Sequence, residues 1–443
     1  MFHRQHHLRI LHLSDLHARG ERETQWFARH RVLGPQWQDN LNQLCEEGPI
    51  DIVCFTGDVA DWGRNDEYAI GTDFLQQLMS RLGLAMNRLF IVPGNHDVDR
   101  SVAPAQWKRL RENSGRVDYS HLSKWIRGVS GPPFGFTDGD RDEVLQRTAA
   151  FHAWLATLGC HHLLPNASPH GRLGFRAELT LADRSFSIFV VGLNSAWLCG
   201  GDDDSERLAL TTDQTGLLTT TADGKPLAGF RLGLLHHPLS YYWDEPMCRP
   251  HLSDGLDLLL RGHTHQERFN STIDPDRTIH VLAAGSLYDG DQGDRWPNAH
   301  HLIDARLDSK GRSISYEVRF RAWSPDSSFW FDNSSLYRAA RSGRLRIDLI
   351  PRIPARVKSH YEEKLLRIPP FKEALENGMD IDELAARIAR ESFPTVLRHI
   401  YELGYTKYDP ENEGFWNMVA DYHIDDAYSA LSNDLQLLFR QRD

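Results

Sequence analysis

Residues that could bind metal ions follow five separate apolar runs of this sequence. Each group lies where a buried strand is predicted to end, because a short run of Leu, Ile, Val or Phe precedes it. In an open α/β sheet, ligands bind beyond the carboxyl ends of the strands, so we expect the five groups to converge. The residues are Asp15 and His17, Asp58, Asn95 and His96, His236, and His263 with His265.

The chemical types of these side chains restrict which metal they could hold. Without His96, they comprise two carboxylates, one amide and four imidazoles. Oxygen and nitrogen ligands without a thiolate favour manganese, iron, zinc or cobalt over copper(I) or an iron–sulfur cluster. Seven ligands exceed the needs of one catalytic zinc and fit two ions about 3.5–4 Å apart that share a carboxylate. We therefore expect two divalent ions, manganese first, with iron, zinc, cobalt or nickel as alternatives.

A regular alternation of strands and helices must position the first three groups. Apolar runs at residues 8–13, 50–55 and 89–92 predict strands, and the segment over about 66–82 predicts a helix. This β-α-β-α-β order is typical of parallel strands joined by crossover helices. Later strands are predicted at residues 185–193, 230–235, 256–260, 279–283, 301–307 and 313–320.

Five motifs in this order resemble those of the calcineurin-like metallophosphoesterase family. They are Asp-x-His at 15–17, Gly-Asp-x-x-Asp at 57–61, Gly-Asn-His-Asp at 94–97, a His motif before Pro238, and Gly-His-x-His at 262–265. The resemblance covers about residues 8–320. It implies a four-layer α-β-β-α sandwich of mixed α/β class, whose second sheet comes from the later strands.

The resemblance also implies a role for each polar residue. Three residues would hold the first metal ion and three others the second, with Asp58 bridging both. The first set is Asp15, His17 and His265, and the second is Asn95, His236 and His263. The position directly after the strand favours His236 over His237 as the ligand, and the choice between them stays open.

His96 would not bind a metal ion in this family pattern. It would face the substrate as general acid or phosphate binder, and Asp61 would orient it through a carboxylate–imidazole hydrogen bond. The implied reaction is direct hydrolysis, in which a hydroxide bridging the two ions attacks phosphorus and His96 protonates the leaving alkoxide. No P-loop pattern G-x-x-x-x-G-K occurs in the sequence.

The motif details favour one substrate class within the family. Protein phosphatases of the family carry Arg-Gly-Asn-His-Glu, whereas this chain has Pro-Gly-Asn-His-Asp at 93–97. The string His236–His237–Pro238 is similar to that of cyclic-nucleotide phosphodiesterases, and residues 11–17 are similar both to those enzymes and to DNA-repair nucleases. We therefore expect a phosphodiesterase with a nucleotidic substrate. The alternatives are a DNA or RNA nuclease, an effector of a signalling or defence system, and last a phosphomonoesterase.

Charge and cysteine content exclude some classes of protein. The chain has 443 residues and a net charge of -11. This acidic balance argues against a general nucleic-acid coat, since phosphate binding needs clustered Lys and Arg. Five widely spaced cysteines without a C-x-x-C motif predict reduced thiols, which favours a cytoplasmic location. We predict neither a signal peptide nor a membrane span.

Three regions of different sequence character predict the domain organisation. Residues 1–345 form the expected phosphoesterase domain, in which 98–177 predicts a mainly helical insertion, either a cap over the site or a peripheral elaboration. After Pro351 and Pro354 only helical patterns occur, which predicts an all-helical domain over 346–443. Its aromatic residues could bind a partner protein or a second copy of the chain, or fill the domain's own core.

Overall fold

The computed structural model describes most of the 443-residue chain. The described residues are 6–165, 172–181, 184, 186–201, 204–273, 278–290, 297–308, 310–340, 342–349 and 355–440. The chain divides into two compact units, one of His7–Ser313 with Glu317–Arg346, and one of Ile347–Asp443 with Met1–His6 and Ile314–Tyr316. The predicted break at Pro351 and Pro354 lies outside the described residues.

Strands and helices alternate over the first part of the chain, and helices alone follow. The strands are β1 His6–Leu13, β2 Ile52–Phe55, β3 Leu89–Ile91, β4 Phe175–Thr180, β5 Ser187–Gly192, β6 Gly229–Leu234, β7 Leu258–Arg261, β8 Arg268–Ile273, β9 Thr278–Ala283, β10 Ala299–Leu307, β11 Ser313–Ser324, β12 Phe329–Asp332 and β13 Arg344–Asp348. The helices are α1 Trp26–Leu33, α2 Pro35–Cys45, α3 Asn65–Leu82, α4 Pro104–Asn113, α5 Tyr119–Arg127, α6 Asp138–Leu145, α7 Ala149–Thr157, α8 Thr212–Thr219, α9 Glu245–Gly255, α10 Ala355–Leu365, α11 Pro369–Glu376, α12 Ile381–Arg390, α13 Phe393–Glu402, α14 Glu413–Asp421 and α15 Ile424–Arg440.

The first sheet carries the three strands that precede the earliest polar groups. β1, β2 and β3 are parallel neighbours, with Leu11 opposite Val53 and Cys54 opposite Phe90. Every residue of β2 and β3 is buried, because a parallel strand covered on both faces needs apolar side chains on both. The strand order is β12-β11-β10-β1-β2-β3, and β13 pairs with β11.

The second sheet places the later strands side by side in the order β4-β5-β6-β7-β9-β8. Its four central strands are parallel, and the edge strands β4 and β8 pair with their neighbours in the antiparallel direction. The predicted four-layer α-β-β-α sandwich of mixed α/β class is confirmed. Five strands, β1, β2, β3, β6 and β7, each lead directly into one of the five polar groups.

Four strands differ from the sequence prediction. β4 begins at Phe175, so the predicted insertion ends before that residue and not at 177. β8, β12 and β13 occupy segments for which the sequence predicts no strand. These strands lie at or beside a sheet edge, where charged and polar residues interrupt the apolar pattern on which the prediction depends.

The insertion contains the four helices α4–α7 and packs on the loop after β5. Leu110, Leu122 and Trp125 share a buried cluster with Trp197 of that loop. Asp118 caps the N-terminus of α5, because its side chain accepts a hydrogen bond from the main-chain N of His121. Residues 166–171 of the predicted insertion lie outside the described residues. The described helices are therefore anchored on the phosphoesterase domain through a hydrophobic core.

The C-terminal unit consists of the helices α10–α15 around a hydrophobic core of its own. Phe371, Leu384, Ile388, Phe393, Val396, Leu397, Ile400 and Phe415 belong to this core. The sequence prediction omits α11 and gives one helix over about 413–440, whereas the structure has two, because His423 adopts a φ of 50° between them. No helix of the described residues has both the length and the apolar composition that a bilayer span requires.

Candidate metal centre

The backbone at the predicted ligands adopts a conformation that is rare for residues with a side chain. Asp15, His17, Asp58, His263 and His265 have φ values between 46° and 73°. They are five of the ten non-glycine residues with positive φ in the described part of the chain. Such a conformation costs about 1–3 kcal/mol per residue and persists where the surrounding structure fixes it, commonly at functional sites.

Hydrogen bonds between neighbouring loops hold this backbone in place. The main-chain N of Asp15 donates to Gly57 O at 2.9 Å, and that of His17 donates to Asp58 O at 3.0 Å. The main-chain N of His96 donates to the carboxylate of Asp58 at 2.8 Å. The loops after β1, β2 and β3 therefore form one connected surface at the ends of the strands.

The first cluster of donor atoms joins the loop after β1 to the loop after β7. The donor atoms of Asp15, His17 and His265 all lie within 4.8 Å of one another. The Nε2 atoms of His17 and His265 are 3.2 Å apart, and Nε2 of His265 is 3.3 Å from Asp15 Oδ1. On its other side, Nδ1 of His265 faces a carboxylate oxygen of Asp289 at 3.1 Å. That contact fixes the ring and leaves Nε2 directed at the cluster.

The second cluster gathers around the amide oxygen of Asn95. This Oδ1 lies 3.0 Å from Nε2 of His236 and 2.9 Å from Nδ1 of His263. Nδ1 of His236 is 2.6 Å from the carbonyl oxygen of Thr56. A carbonyl only accepts, so Nδ1 carries a proton and Nε2 is the nitrogen available to a metal ion.

The carboxylate of Asp58 lies between the two clusters. Its Oδ2 is 3.1 Å from Nε2 of His236. Asp58 forms one donor group with Asp15 and His236, and another with His17 and His96, each within 4.8 Å. The structure thus brings together all seven predicted ligands, and it places the predicted bridging residue at their centre.

Two of the histidines carry a proton in the metal-free molecule. Burial by itself lowers the pKa of His236, but the neighbouring Asp58 outweighs it and raises this pKa to about 9. Burial likewise opposes protonation of His265, whose hydrogen bonds to Asp15 and Asp289 raise its pKa to about 10. The two carboxylates therefore attract positive charge, which a bound cation would supply in place of the protons.

Two other histidines are neutral near pH 7. Burial lowers the pKa of His17 to about 4 and that of His263 to about 3. A neutral imidazole offers a lone pair to a metal ion, so both rings fit the role of ligand without losing a proton. Asp15 Oδ1 is buried and faces Nε2 of His265 at 3.3 Å and Nε2 of His17 at 3.9 Å, as expected of an oxygen that shares an ion with these two rings. The donor set therefore fits divalent metal ions.

His237 lies beside the second cluster and makes different contacts from His236. Its Nδ1 is 3.0 Å from Ser195 Oγ, and its Nε2 is buried without a partner among the described residues. Its donor atom also lies within 4.8 Å of those of His236 and His263. His236 differs in that it contacts Asp58 directly, which agrees with the preference for His236 drawn from the sequence.

The structure corrects the predicted contact between Asp61 and His96. Nδ1 of His96 lies 2.7 Å from the main-chain oxygen of Asp61, whereas the Asp61 carboxylate is 3.7 Å away. That carboxylate instead accepts a hydrogen bond from Nη2 of Arg22 at 3.0 Å. The main chain of Asp61 therefore orients the imidazole, and Nε2 remains open to a ligand.

The sequence motifs gave no role to Asp97, which connects two of the loops. Its buried carboxylate accepts hydrogen bonds from the main-chain N atoms of Asp58, Ala60 and Gly94 at 2.8, 3.0 and 3.0 Å. Burial and the Asp58 carboxylate raise the pKa of Asp97 to about 7, although the N–H donors act in the opposite direction. The sequence could have indicated a role for Asp97 only through its position at the end of the Gly-Asn-His-Asp motif. Asp289, beside His265, lies in no motif.

These geometric features agree with a comparison of the chain with known families. A family model described as calcineurin-like phosphoesterase matches residues 8–267. That match covers more than half of the sequence and includes all seven predicted ligands. The chain belongs to the calcineurin-like phosphoesterase family, as the resemblance predicted.

Relatives with similar sequences carry only general descriptions. The chain is 22% identical over 466 aligned positions to the uncharacterized metallophosphoesterase-like protein YydB of Bacillus subtilis, an alignment that spans 98% of this chain and 85% of the relative. A second protein of the same organism, the uncharacterized metallophosphoesterase YkoQ, is 31% identical over 127 residues, or 28% of this chain and 40% of the relative.

Solved structures with a related fold include larger enzymes. The NAD nucleotidase of Haemophilus influenzae matches with 10% identity and a TM-score of 0.36, over 77% of this chain and 55% of that structure. A purple acid phosphatase from yellow lupin seeds matches with 12% identity and a TM-score of 0.38, over 79% of this chain and 55% of that structure. The chain thus spans about half the length of these two structures.

Proposed function

We propose that this protein is a metal-dependent phosphodiesterase that hydrolyses a nucleotidic phosphodiester. The position of the Asp58 carboxylate carries this proposal, because it lies within 4.8 Å of donor atoms on both sides of the site. A carboxylate shared by two groups of donors is what a pair of divalent ions requires. The proposed ligands are Asp15, His17 and His265 for one ion, Asn95, His236 and His263 for the other, and Asp58 for both.

Two bound ions would supply Lewis-acid chemistry, namely a lower pKa for a water molecule at the site and neutralisation of charge on the phosphoryl oxygens. Manganese is the proposed metal, since oxygen and imidazole ligands without thiolate suit it. The protein contributes fixed donor positions, because hydrogen bonds between the loops hold their strained backbone.

His96 is the proposed general acid of this reaction. Its ring is held through Nδ1, and its side chain is 26% exposed, so Nε2 can reach a substrate. The attacking water gives one proton to the solvent and its oxygen joins phosphorus, while the bond from phosphorus to the leaving oxygen breaks. His96, protonated on both nitrogens, gives its Nε2 proton to that leaving oxygen and is left neutral with the proton on Nδ1. No covalent bond between protein and phosphate is needed.

A cavity beside His96 supports a diester as the substrate. Its volume of about 420 Å³ lies within the range of small-molecule pockets. A phosphodiester carries an organic group on the leaving oxygen, and this cavity offers space for one next to the proposed acid. The sequence His236–His237–Pro238, similar to that of cyclic-nucleotide phosphodiesterases, favours the same class.

The proposal is tested by comparing bis(p-nitrophenyl) phosphate with p-nitrophenyl phosphate as substrates, together with elemental analysis. We expect about two transition-metal ions per chain, loss of activity in chelator, best recovery with Mn²⁺, and preference for the diester. Asp58→Asn should lower the content of both ions, since the shared ligand loses its charge. At most one bound ion with full activity in chelator would exclude the two-ion site, and a preference for the monoester would exclude the diesterase.

A further inference from the structure

The proposed general acid His96 lines a cavity of about 420 Å³. Two loops line it, one following Asp58 and the other following His96. The first contributes Trp62 and Arg64, and the second contributes Arg100. A group bound there would therefore lie beside the proposed general acid and the two arginines.

The position of His96 identifies which part of the substrate enters this cavity. A general acid must lie within hydrogen-bond reach of the oxygen that it protonates. The alcohol that leaves phosphorus is thus next to His96, and the remainder of that alcohol extends into the space that His96 lines. The cavity is the leaving-group side of the proposed active site.

Both loops that carry the arginines are anchored by hydrogen bonds. The main-chain N of Trp62 donates to the buried carboxylate of Glu67 at 2.8 Å. The main-chain N of Asp99 donates to Arg147 O at 2.9 Å, and Ser101 N donates to the Asp99 carboxylate at 2.9 Å. The two guanidinium groups therefore extend from fixed positions on the loops.

Two carboxylates, those of Asp61 and Asp99, line the cavity together with the two arginines. Asp61 forms an ion pair with Arg22, and Asp99 accepts hydrogen bonds from the main-chain N and the hydroxyl of Ser101. Neither Arg64 nor Arg100 forms an ion pair with any residue that the structure describes. Two arginines without a carboxylate partner attract an anion, and guanidinium groups suit phosphate because their N–H donors match its oxygens.

Trp62 orients one of these arginines and leaves little ring surface for a base. The guanidinium carbon of Arg64 lies 4.7 Å from the centroid of the Trp62 ring, and that of Arg22 lies 3.5 Å from it. With two cations against the indole, the wall of the cavity is arranged for negative charge more than for stacking of a nucleobase.

We propose that Arg64 and Arg100 bind a phosphate carried by the leaving alcohol. This inference rests on the proposed function and narrows its substrate class. The substrate is a phosphodiester whose leaving group is itself phosphorylated, as in a dinucleotide with a terminal phosphate or in a longer oligonucleotide. A diester with an uncharged leaving group is a poorer substrate because it leaves both arginines without an anion.

The kinetic test compares the thymidine dinucleotides TpT, pTpT and TpTp, with bis(p-nitrophenyl) phosphate as the uncharged reference. We expect kcat/KM to be about 10- to 100-fold higher for one of the two phosphorylated dinucleotides than for TpT, the range for one or two charged hydrogen bonds. Product analysis shows which ester bond breaks and hence which terminal phosphate belongs to the leaving group. A single-stranded 12-nucleotide DNA distinguishes a longer chain from a dinucleotide as the source of that phosphate.

The variants Arg64→Gln and Arg100→Gln should each remove most of the preference for the phosphorylated dinucleotide and lower kcat/KM for bis(p-nitrophenyl) phosphate far less. Arg116→Gln is the matched control, since Arg116 is exposed and does not line the cavity. Equal kcat/KM for all three dinucleotides, or equal losses on the charged and uncharged substrates, would overturn the inference. If the unmodified protein hydrolyses no diester at all, the proposed function fails instead, and the two failures are thus distinct.

A binding measurement tests the arginines without catalysis. Thymidine 3′,5′-bisphosphate and the two thymidine monophosphates are titrated into the metal-free protein by calorimetry. We expect the bisphosphate to bind at least about tenfold more tightly than either monophosphate, with the difference lost in Arg64→Gln and Arg100→Gln. Identical affinities in the variants and in the unmodified protein would contradict the assignment.

Discussion

The main-chain oxygen of Asp61, and not its carboxylate, holds the His96 ring. Variants of the two residues should therefore behave differently. His96→Ala should keep the metal content near normal and lower turnover by about 10²–10⁴, the usual scale of acid catalysis. The loss should be smaller for esters with a good leaving group, such as p-nitrophenol. Loss of the metal ions in His96→Ala would show that this residue is a ligand and not an acid.

Asp61→Asn is the companion variant, because it keeps the carbonyl that accepts from His96 Nδ1. We expect it to lower turnover less than about tenfold, because the carboxylate contacts Arg22 more closely than the His96 ring. Turnover should be measured for both variants at saturating metal. An equal loss in Asp61→Asn and His96→Ala would mean that the carboxylate, as predicted from the sequence, does orient the imidazole.

The raised pKa values of His236 and His265 predict how pH affects the metal-free protein. Both folded-state values, about 9 and about 10, lie above that of an unfolded histidine. Their stabilising contribution is therefore complete below about pH 6.5 and is lost as the pH rises through 9. The melting temperature of chelator-treated protein should fall between pH 7 and 9.

The metal-loaded protein provides the control for this pH effect. A bound ion takes the place of the two protons, so its melting temperature should change less over the same range. Calorimetric titration of Mn²⁺ at pH 7 in buffers of different ionisation enthalpy should also detect released protons. Identical pH profiles with and without metal would contradict the assignment of His236 and His265 as ligands.

For single residues, the sequence predicted which side chains take part in the site better than it predicted the contacts that they make. The five motifs identified every donor that the fold brings together, because each follows an apolar run that ends at the same edge of its sheet. They could not tell whether His96 meets the side chain or the main chain of Asp61, since both lie at the same sequence position. Asp289 was not predicted, because it contacts His265 from a loop that contains none of the motifs.

The loop after β2 shows how an element depends on one small residue. Gly57 has a φ of 98°, and a Cβ there would lie 2.5 Å from His236 Nδ1 and 2.8 Å from the main-chain N of Gly94. Gly57→Ala should therefore displace the loop that carries Asp58 and reduce metal content, besides destabilising the fold. Elemental analysis and thermal unfolding would measure both effects.

Gly83→Ala is the matched control for this change. Gly83 ends α3 with a φ of 66°, and nothing lies within 4 Å of its added Cβ. It should cost about 1 kcal/mol of stability through backbone strain alone and leave the metal content unchanged. If the two variants retain equal amounts of metal, the close packing of Gly57 is not needed for the site.

Among the elements, strands buried on both faces were predictable, even β3 at the end of its sheet, whereas the partly exposed strands β4, β8, β12 and β13 were not. The runs that form β1, β2, β3, β6 and β7 are apolar because both faces of each strand are covered in the layered fold, so composition alone indicates them. β4 has only one fully buried residue, at its first position, and alternates with charged side chains. Its pairing with β5 depends on the neighbouring strand, which a local pattern does not contain.

The whole molecule consists of a phosphoesterase unit and a helical unit with separate cores. All seven proposed ligands lie in the first unit, and we propose that the helical unit serves association with a partner protein or a second copy. A chain truncated after Leu349 should keep two ions and its activity on bis(p-nitrophenyl) phosphate, while its mass in solution reports any lost association. Loss of metal on truncation would show that the helices are part of the catalytic fold.

The aromatic residues of the helical unit divide between the two roles considered for them. Phe393 and Phe415 are buried in its core, whereas Tyr401, Trp416 and Tyr422 are exposed. Substituting Tyr422 by Ser in the full chain is therefore the milder test of association, since its side chain is 70% exposed. An unchanged mass in both the variant and the truncated chain would exclude self-association through these helices.

The donor residues are spread widely along the chain, and this affects when the centre can form during synthesis. His17 and His265, whose ring nitrogens lie 3.2 Å apart, are separated by 248 positions. A growing polypeptide holds Asp15, Asp58 and Asn95 long before the ribosome adds the histidines of the second sheet. Ion loading therefore has to wait until His265 has emerged, and until then the nascent chain exposes two carboxylates and an amide without their partners.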